Sequence, residues 1–289
     1  METKKERLIL GACLCTVGYF FFAVMGACSK IAIHQLSATT ILFVQNIVAL
    51  LLLLPEICVK GWKTLKTDRI GMHLVRDIGG VLSFLTLFLA LRDIPLVDGM
   101  LLLYSAPLWI PLIALVWLRS RVRKDLWWGM IIGFIGIILI LKPGEGLANI
   151  SSFWGVSAGI LFGISLLALR QLASTEPTHR TLFYFFLVSI IVTAPFYFFE
   201  KGMLSRREIE LLVSSGASLF VGSWLLAYSL RHGKASTLGP IAYTGVVYSG
   251  ILGWLIWGHI PDVLSFIGMI LVITGGILSI YFEKKNVKI

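Results

Sequence analysis

The chain has 289 residues, 57% of them hydrophobic and only 14% charged, with 25 lysines and arginines against 15 aspartates and glutamates and a net charge of +10. A soluble domain of this length needs far more charge to solvate its surface, so a soluble globular protein is excluded. The basic excess sits around long apolar runs, where it reports membrane topology and contact with anionic lipid headgroups rather than a nucleic-acid partner.

Ten apolar segments, each close to the roughly 20 residues that cross a bilayer core, follow one another near 8–29, 38–57, 72–91, 96–118, 125–141, 151–170, 180–199, 209–230, 235–257 and 262–282. Lipid offers no partner to a bare backbone and no alternating barrel pattern is present, so each segment is predicted to be a helix and the fold class all-α integral membrane protein. The first segment follows "METKKER"; it is too long for a cleaved leader and lacks a cleavage pattern, so it is read as retained. Loops are short and leave no room for a soluble catalytic domain. Lysine and arginine gather on the segments that share a face with the amino terminus, among them Lys4, Lys60, Arg76, Arg123, Arg170, Arg231 and Lys284. Only Lys30, Arg92, Lys142, Lys201, Arg206 and Arg207 fall on the other face. This bias predicts a multi-pass protein of the cytoplasmic (inner) membrane with both termini in the cytoplasm. Cys13, Cys15, Cys28 and Cys58 have neither metal-ligand nor redox spacing and read as small apolar packers.

Sliding the chain against itself by 139 residues aligns Leu91 with Leu230, Arg92 with Arg231, Tyr104 with Tyr243, Gly129 with Gly268, Met130 with Met269 and Gly136 with Gly275. Matches of Leu with Ile are cheap in apolar sequence, but Arg, Tyr and Gly in one register point to duplication. Each unit holds five spans, an odd number, so the second copy enters the membrane inverted. Inverted repeats suit secondary transporters, because two related halves can exchange conformations around a shared site.

The stretch "ALRDIPLVDGMLLLYSAPLWIPLIALVWLRSRVRKDLWWGMIIGFIGIILILKPG" resembles the EamA repeat of the drug/metabolite transporter (DMT) superfamily, and "GHIPDVLSFIGMILVITGGIL" closes a weaker second version. The resemblance covers nearly the whole chain and implies two five-helix EamA repeats, 8–142 and 151–283. It also implies a central cavity and transport of small metabolites such as amino acids or nucleotide-like compounds; S-adenosylmethionine carriers share this architecture. The chain departs from the family pattern at Ser120 and His259, where an acidic residue is frequent, and at Gln45, where an arginine is frequent.

Candidate site residues follow from depth in the membrane. Tyr104 lies eight residues beyond Leu96, about 12 Å along a helix, and Tyr243 lies equally deep from the opposite side; the pair either faces one cavity or packs between helices. Pro107 and Pro111 interrupt the fourth span and Pro240 the ninth, and such breaks are tolerated where a helix faces protein or a watery cavity. Ser105, Trp109, Thr244 and Tyr248 surround the breaks, Ser83, Trp224 and Tyr228 complete an aromatic and hydroxyl lining, and Gln45 and Asn46 are the amides near the middle of a span. Such a lining suits a zwitterion or organic cation. Arg92 and Arg231 either cap helix ends against the dipole or act as gate or anion contact.

The carboxylates Glu56, Asp77, Asp93, Asp98, Asp125 and Asp262 are all read at span ends, as are the five histidines. With no carboxylate near the middle of a span, exchange or facilitated diffusion is expected over proton coupling. Scattered acids and the lack of a histidine pair at ligand spacing argue against a membrane enzyme acting on lipids, and no metal or cofactor is expected. The glycine series "GMIIGFIG" and "GVSAGILFG" read as close helix packing. The expected partners are a small-molecule substrate and membrane lipids, with a monomer or homodimer as the assembly.

Overall fold

The computed structural model describes residues 4–117, 124–141, 150–200, 204–232 and 239–286, and every regular element among them is helical. In order these are α1 (Lys4–Ala32), α2 (Ala38–Lys60), a 3-10 turn (Trp62–Leu65), α3 (Ile70–Leu91), α4 (Leu96–Tyr104) and α5 (Ala106–Trp117). There follow α6 (Lys124–Leu141), α7 (Ile150–Leu172), α8 (Thr178–Phe199), α9 (Arg206–His232), a second 3-10 turn (Gly239–Tyr243), α10 (Thr244–Trp257) and α11 (Val263–Asn286). Seven segments are long and apolar enough to cross a membrane, and three shorter apolar helices, Trp127–Leu139, Ile241–Trp257 and Val263–Leu278, bring the spans to ten. Helix ends follow local chemistry: the Ser37 hydroxyl accepts from the Thr40 amide at 3.1 Å to start α2, and Gly258, at φ 67°, ends α10 in a left-handed turn.

The helices pair across the two halves. α1 packs along α9 and α3 along α7, α2 lies on α8, α6 on α11 and α4 on α10. Exchanging span n with span n+5 maps each of these pairings onto another or onto itself, which is the packing of a ten-helix inverted repeat. The α6–α11 crossing shows the symmetry atom by atom. A methyl on Gly136 would lie 2.6 Å from the Gly268 carbonyl and 2.7 Å from the Val272 nitrogen; a methyl on Gly275 would lie 2.5 Å from the Gly129 carbonyl and 2.5 Å from the Gly133 nitrogen. The contacts of one glycine are those of the other moved by 139 residues. The glycines therefore let two backbones touch inside the molecule.

The fourth span breaks at Ser105, two residues before Pro107, whose missing N–H leaves the helix ladder incomplete. The ninth breaks at the same repeat position, between Tyr243 and Thr244. Pro111 is accommodated inside α5 without a break.

The two ends of the bundle are closed differently. At the end away from the amino terminus, buried Lys30 of α1 donates to the carbonyls of Leu91 (2.8 Å) and Ile94 (2.6 Å) at the α3–α4 corner. Its ammonium also lies 5.7 Å from the Trp257 ring centroid, and Ser151 bonds Asp93 beside it. At the amino-terminal end a polar network joins the α2–α3 connection to the α7–α8 corner. Arg180 donates to Glu176 (2.5 Å) and to the Thr64 carbonyl (2.6 Å), Thr67 donates to Glu176 (2.9 Å), and His179 bonds the Thr64 hydroxyl at 3.0 Å. Burial pushes the Glu176 carboxyl up, but the bonds from Arg180 and Thr67 and the nearby Arg180 charge prevail and hold it below the usual carboxylate range.

Candidate functional site

A cavity lies between the repeats, lined from the first by Cys15, Tyr19, Tyr104, Ala106 and Pro107 and from the second by Phe162, Leu166, Arg170, Leu226, Leu230 and Ala242; the space among these residues, open mouth included, is about 460 Å³. Tyr19 meets Tyr104 edge to face, ring centroids 5.2 Å apart, and the Phe162 ring centroid lies 6.5 Å from that of Tyr104. The break after Tyr104 turns Ala106 and Pro107 into the wall. The Tyr104 ring rests against Gly245 of α10, where a methyl would come within 2.6 Å of it. Its hydroxyl is buried and has no hydrogen-bond partner among the described residues, an arrangement that costs about 1–3 kcal/mol unless a bound group completes it.

A second compartment of about 440 Å³ adjoins the first through the shared residues Phe162, Leu166 and Leu226, and is lined further by Phe22, Arg76, Gly80, Phe84, Ser165, Leu169, Phe185 and Ser223. Arg76 lies over the Phe185 ring, 4.1 Å from its centroid, and donates to Asp77 at 2.9 Å. Both compartments reach toward the amino-terminal end of the bundle, where α7 and α9 end, and away from the Lys30 closure.

Of the residues expected from sequence, Tyr104 and Pro107 line this cavity. Tyr243 does not: its ring is turned to α11, where its hydroxyl occupies the notch left by Gly276 and a methyl would sit 1.4 Å away. The two tyrosines are equivalent in the repeat but not in surroundings. Ser105 bonds the Leu102 carbonyl (2.6 Å) and accepts from the Trp109 indole (3.0 Å), which turns Trp109 into an apolar groove with Val75, Leu112 and Ile164. Ser83 ties α3 to the Ala158 carbonyl of α7, and Thr244 bonds the Ile241 carbonyl. Tyr248 packs on Phe20. Trp224 stacks on Tyr228, centroids 5.1 Å apart, and donates to Glu56. Gln45 accepts from Ser215 of α9 at 2.9 Å, and Asn46 donates to the Leu42 carbonyl. Ser83, Gln45, Trp224 and Tyr248 join one helix to another, and Ser105, Thr244 and Asn46 bond within their own spans, so these residues do not line one chamber.

Arg92 is exposed at the end of α3, and the carbonyls it was expected to cap are bonded by Lys30 instead. A cation two residues from the end of its own helix reaches them without leaving the bundle. The side chains of Arg231 and Pro240, and Ser120 altogether, lie outside the described residues. Tyr19, Phe162, Arg170 and Arg76 were missed by the sequence reading. Aromatic rings in apolar spans carry no distinguishing pattern, and both arginines were counted as face markers. Asp77, read at a span end, is wholly buried seven residues inside α3. Asp77 thus lies about two helical turns inside α3, deeper than the span end expected for it.

The comparisons agree with this architecture. The EamA-like transporter family matches residues 9–142 and again 149–281. The chain is 27% identical to the pseudopaline exporter CntI of Pseudomonas aeruginosa (93% of this chain, 95% of the relative). It is 24% identical to the riboflavin transporter of Vibrio cholerae (98% and 96%) and 25% identical to the S-adenosylmethionine uptake transporter of Rickettsia bellii (93% and 94%). A crystal structure at 15% identity shares the fold with a TM-score of 0.67 over 98% of this chain and 99% of that one. With tandem repeats, ten paired helices and a cavity between the halves, this multi-pass membrane protein is a transporter and not an enzyme: the chain belongs to the EamA-like transporter family.

Proposed function

We propose that the protein moves a small zwitterionic or cationic metabolite that bears a carboxylate, an amino acid or a nucleotide-like compound such as S-adenosylmethionine, across the cytoplasmic membrane by alternating access. The observation that carries this is the cavity built from both repeats, in which one cation, Arg170, stands among Tyr19, Tyr104 and Phe162. Aromatic faces attract an amine, sulfonium or flat ring, and the guanidinium supplies the carboxylate partner that the expected lining lacked. The relatives named for riboflavin and S-adenosylmethionine carry flat or cationic groups of this kind.

With the basic residues placed in the cytoplasm, the cavity opens to the cytoplasm and Lys30 closes the outer side. Rocking the α1–α9 and α3–α7 pairs against each other would release Lys30 from Leu91 and Ile94 and close the cytoplasmic end. Exchange or facilitated diffusion needs no ionisable group in the membrane; buried Asp77 supplies one and favours the proton-coupled alternative. Counterflow in proteoliposomes tests the substrate class, with S-adenosylmethionine, L-histidine, L-phenylalanine and, as a carboxylate-free cation, choline. Counterflow of at least one carboxylate-bearing probe is expected. Counterflow of choline alone would sink the role given to Arg170.

A further inference from the structure

Two opposite charges lie inside α3. Arg76 is 6% exposed and Asp77 not exposed at all. They share one hydrogen bond of 2.9 Å, while Oδ2 of Asp77 and Nε of Arg76 have no hydrogen-bond partner among the described residues. Arg76, not Asp77, lines the second compartment, with Phe84, Phe185, Ser165 and Ser223 around it.

The inverted repeat contains its own control. Moved by 139 residues, Arg76 and Asp77 become Ser215 and Gly216 of α9. Moved by 140, the offset that superposes the α1–α2 and α7–α8 corners, Phe185 corresponds to Gln45. Where Arg76 covers Phe185, Ser215 donates to Gln45 at 2.9 Å. The fold thus fills these positions with the neutral residues Ser215 and Gly216 in one half and with an ion pair in the other. Architecture does not require the charges, and a buried ion pair is seldom kept for stability alone.

We propose that Arg76 and Asp77 form a carboxylate–proton exchange site. The substrate's carboxylate, met first by Arg170, passes into the adjoining compartment and replaces Asp77 on the Arg76 guanidinium, and the displaced Asp77 takes one proton from the solution that the cavity faces. The charge beside Arg76 is the same before and after, one cation with one carboxylate. Keeping both carboxylates ionised around one guanidinium in a low-dielectric interior would leave a negative charge uncompensated. Substrate and proton therefore load together, cross together and leave together, which makes the transporter a symporter. This rests on the reading of the substrate as a carboxylate-bearing zwitterion.

Other charged and titratable groups on the elements around α3 do not replace Asp77. His73, one turn earlier, lies 3.9 Å from Glu176 and against the Tyr184 ring, and Glu176 is itself engaged by Arg180. From α2, Glu56 is paired with Lys60. Arg170 of α7 and the tyrosines of α1 and α4 belong to the adjoining compartment, and Lys30 sits at the far end.

Two measurements separate this site from the substrate reading. The first needs no substrate: infrared difference spectra of the purified protein on acidification, in wild type, Arg76→Gln and Arg76→Gln/Asp77→Asn. Removing the guanidinium should give a protonated-carboxyl signal at neutral pH that the double variant lacks. No such signal in Arg76→Gln, or the same signal in the double variant, overturns the proposal.

The second uses proteoliposomes with labelled S-adenosylmethionine, L-histidine and L-phenylalanine and a gradient of about one pH unit, acid outside. Coupling to one proton supports about tenfold accumulation of a transported probe. Asp77→Asn, at whatever absolute rate, should distribute it equally with or without the gradient, while Asp68→Asn in the exposed loop should respond like wild type. Should Asp77→Asn fail to fold, Arg76→Ser/Asp77→Gly, which copies Ser215 and Gly216 of the second repeat, takes its place. A retained gradient response in these variants, or accumulation on the acid side in wild type, overturns the proposal. Counterflow without any gradient response in wild type overturns the coupling and leaves the substrate reading standing. No counterflow of any of the three probes overturns the substrate reading, and the infrared result then decides the pair alone.

Discussion

Lys30 is the residue on which closure of one end depends. Its stem crosses apolar packing and its ammonium satisfies two carbonyls that the end of α3 leaves open, with Asp93 and Asp98 near enough to attract it. Lys30→Met keeps the stem and removes the donor, so thermal unfolding in detergent should show a loss of about 1–3 kcal/mol. Glu176 does comparable work at the other end. Its carboxyl is held below the ordinary range in the folded protein, so it contributes stability that is present above the ordinary carboxylate pKa and lost as pH falls through the lowered folded value. Glu176→Gln should therefore melt below wild type at neutral pH, and the gap should close on acidification. A gap that does not depend on pH would show that the carboxylate's charge contributes nothing there.

Between elements, the α6–α11 crossing rests on glycine because two backbones pass too close for any side chain. Gly136→Ala and Gly275→Ala place a methyl against equivalent backbone atoms of the opposite helix. Both should destabilise by about 1–3 kcal/mol, and by similar amounts, since each meets the other's contacts moved by one repeat. A large cost at one position and none at the other, read from paired melting curves, would contradict the symmetric crossing. The broken fourth and ninth spans follow the same logic with a different result: the break recurs at one repeat position, but Tyr104 opens on the cavity whereas Tyr243 fills the Gly276 notch.

Across the molecule, the number of spans, their limits to within a few residues and their duplication were legible in the sequence, because apolar run length and register survive divergence. The cavity was not. Depth along a helix placed Tyr104 and Tyr243 alike, but which way each ring turns depends on glycines at 245 and 276 that lie far away in sequence. Arg170 looked like a face marker because its span was drawn to end at 170, two residues short of the helix end, and Arg76, although inside the drawn span 72–91, was counted with the face on which that span begins. Only the packed structure turns Arg170 into a wall of the chamber and buries Asp77 beside Arg76. The most direct test of the account is the half-saturation concentration for counterflow of the transported probe in Tyr104→Phe and Tyr243→Phe. Loss of a hydrogen bond from the cavity tyrosine, worth about 0.5–1.5 kcal/mol, should raise that concentration roughly two- to tenfold in Tyr104→Phe and leave it at the wild-type value in Tyr243→Phe. Equal shifts in both, or a shift in Tyr243→Phe alone, would contradict a substrate site in the cavity between the repeats.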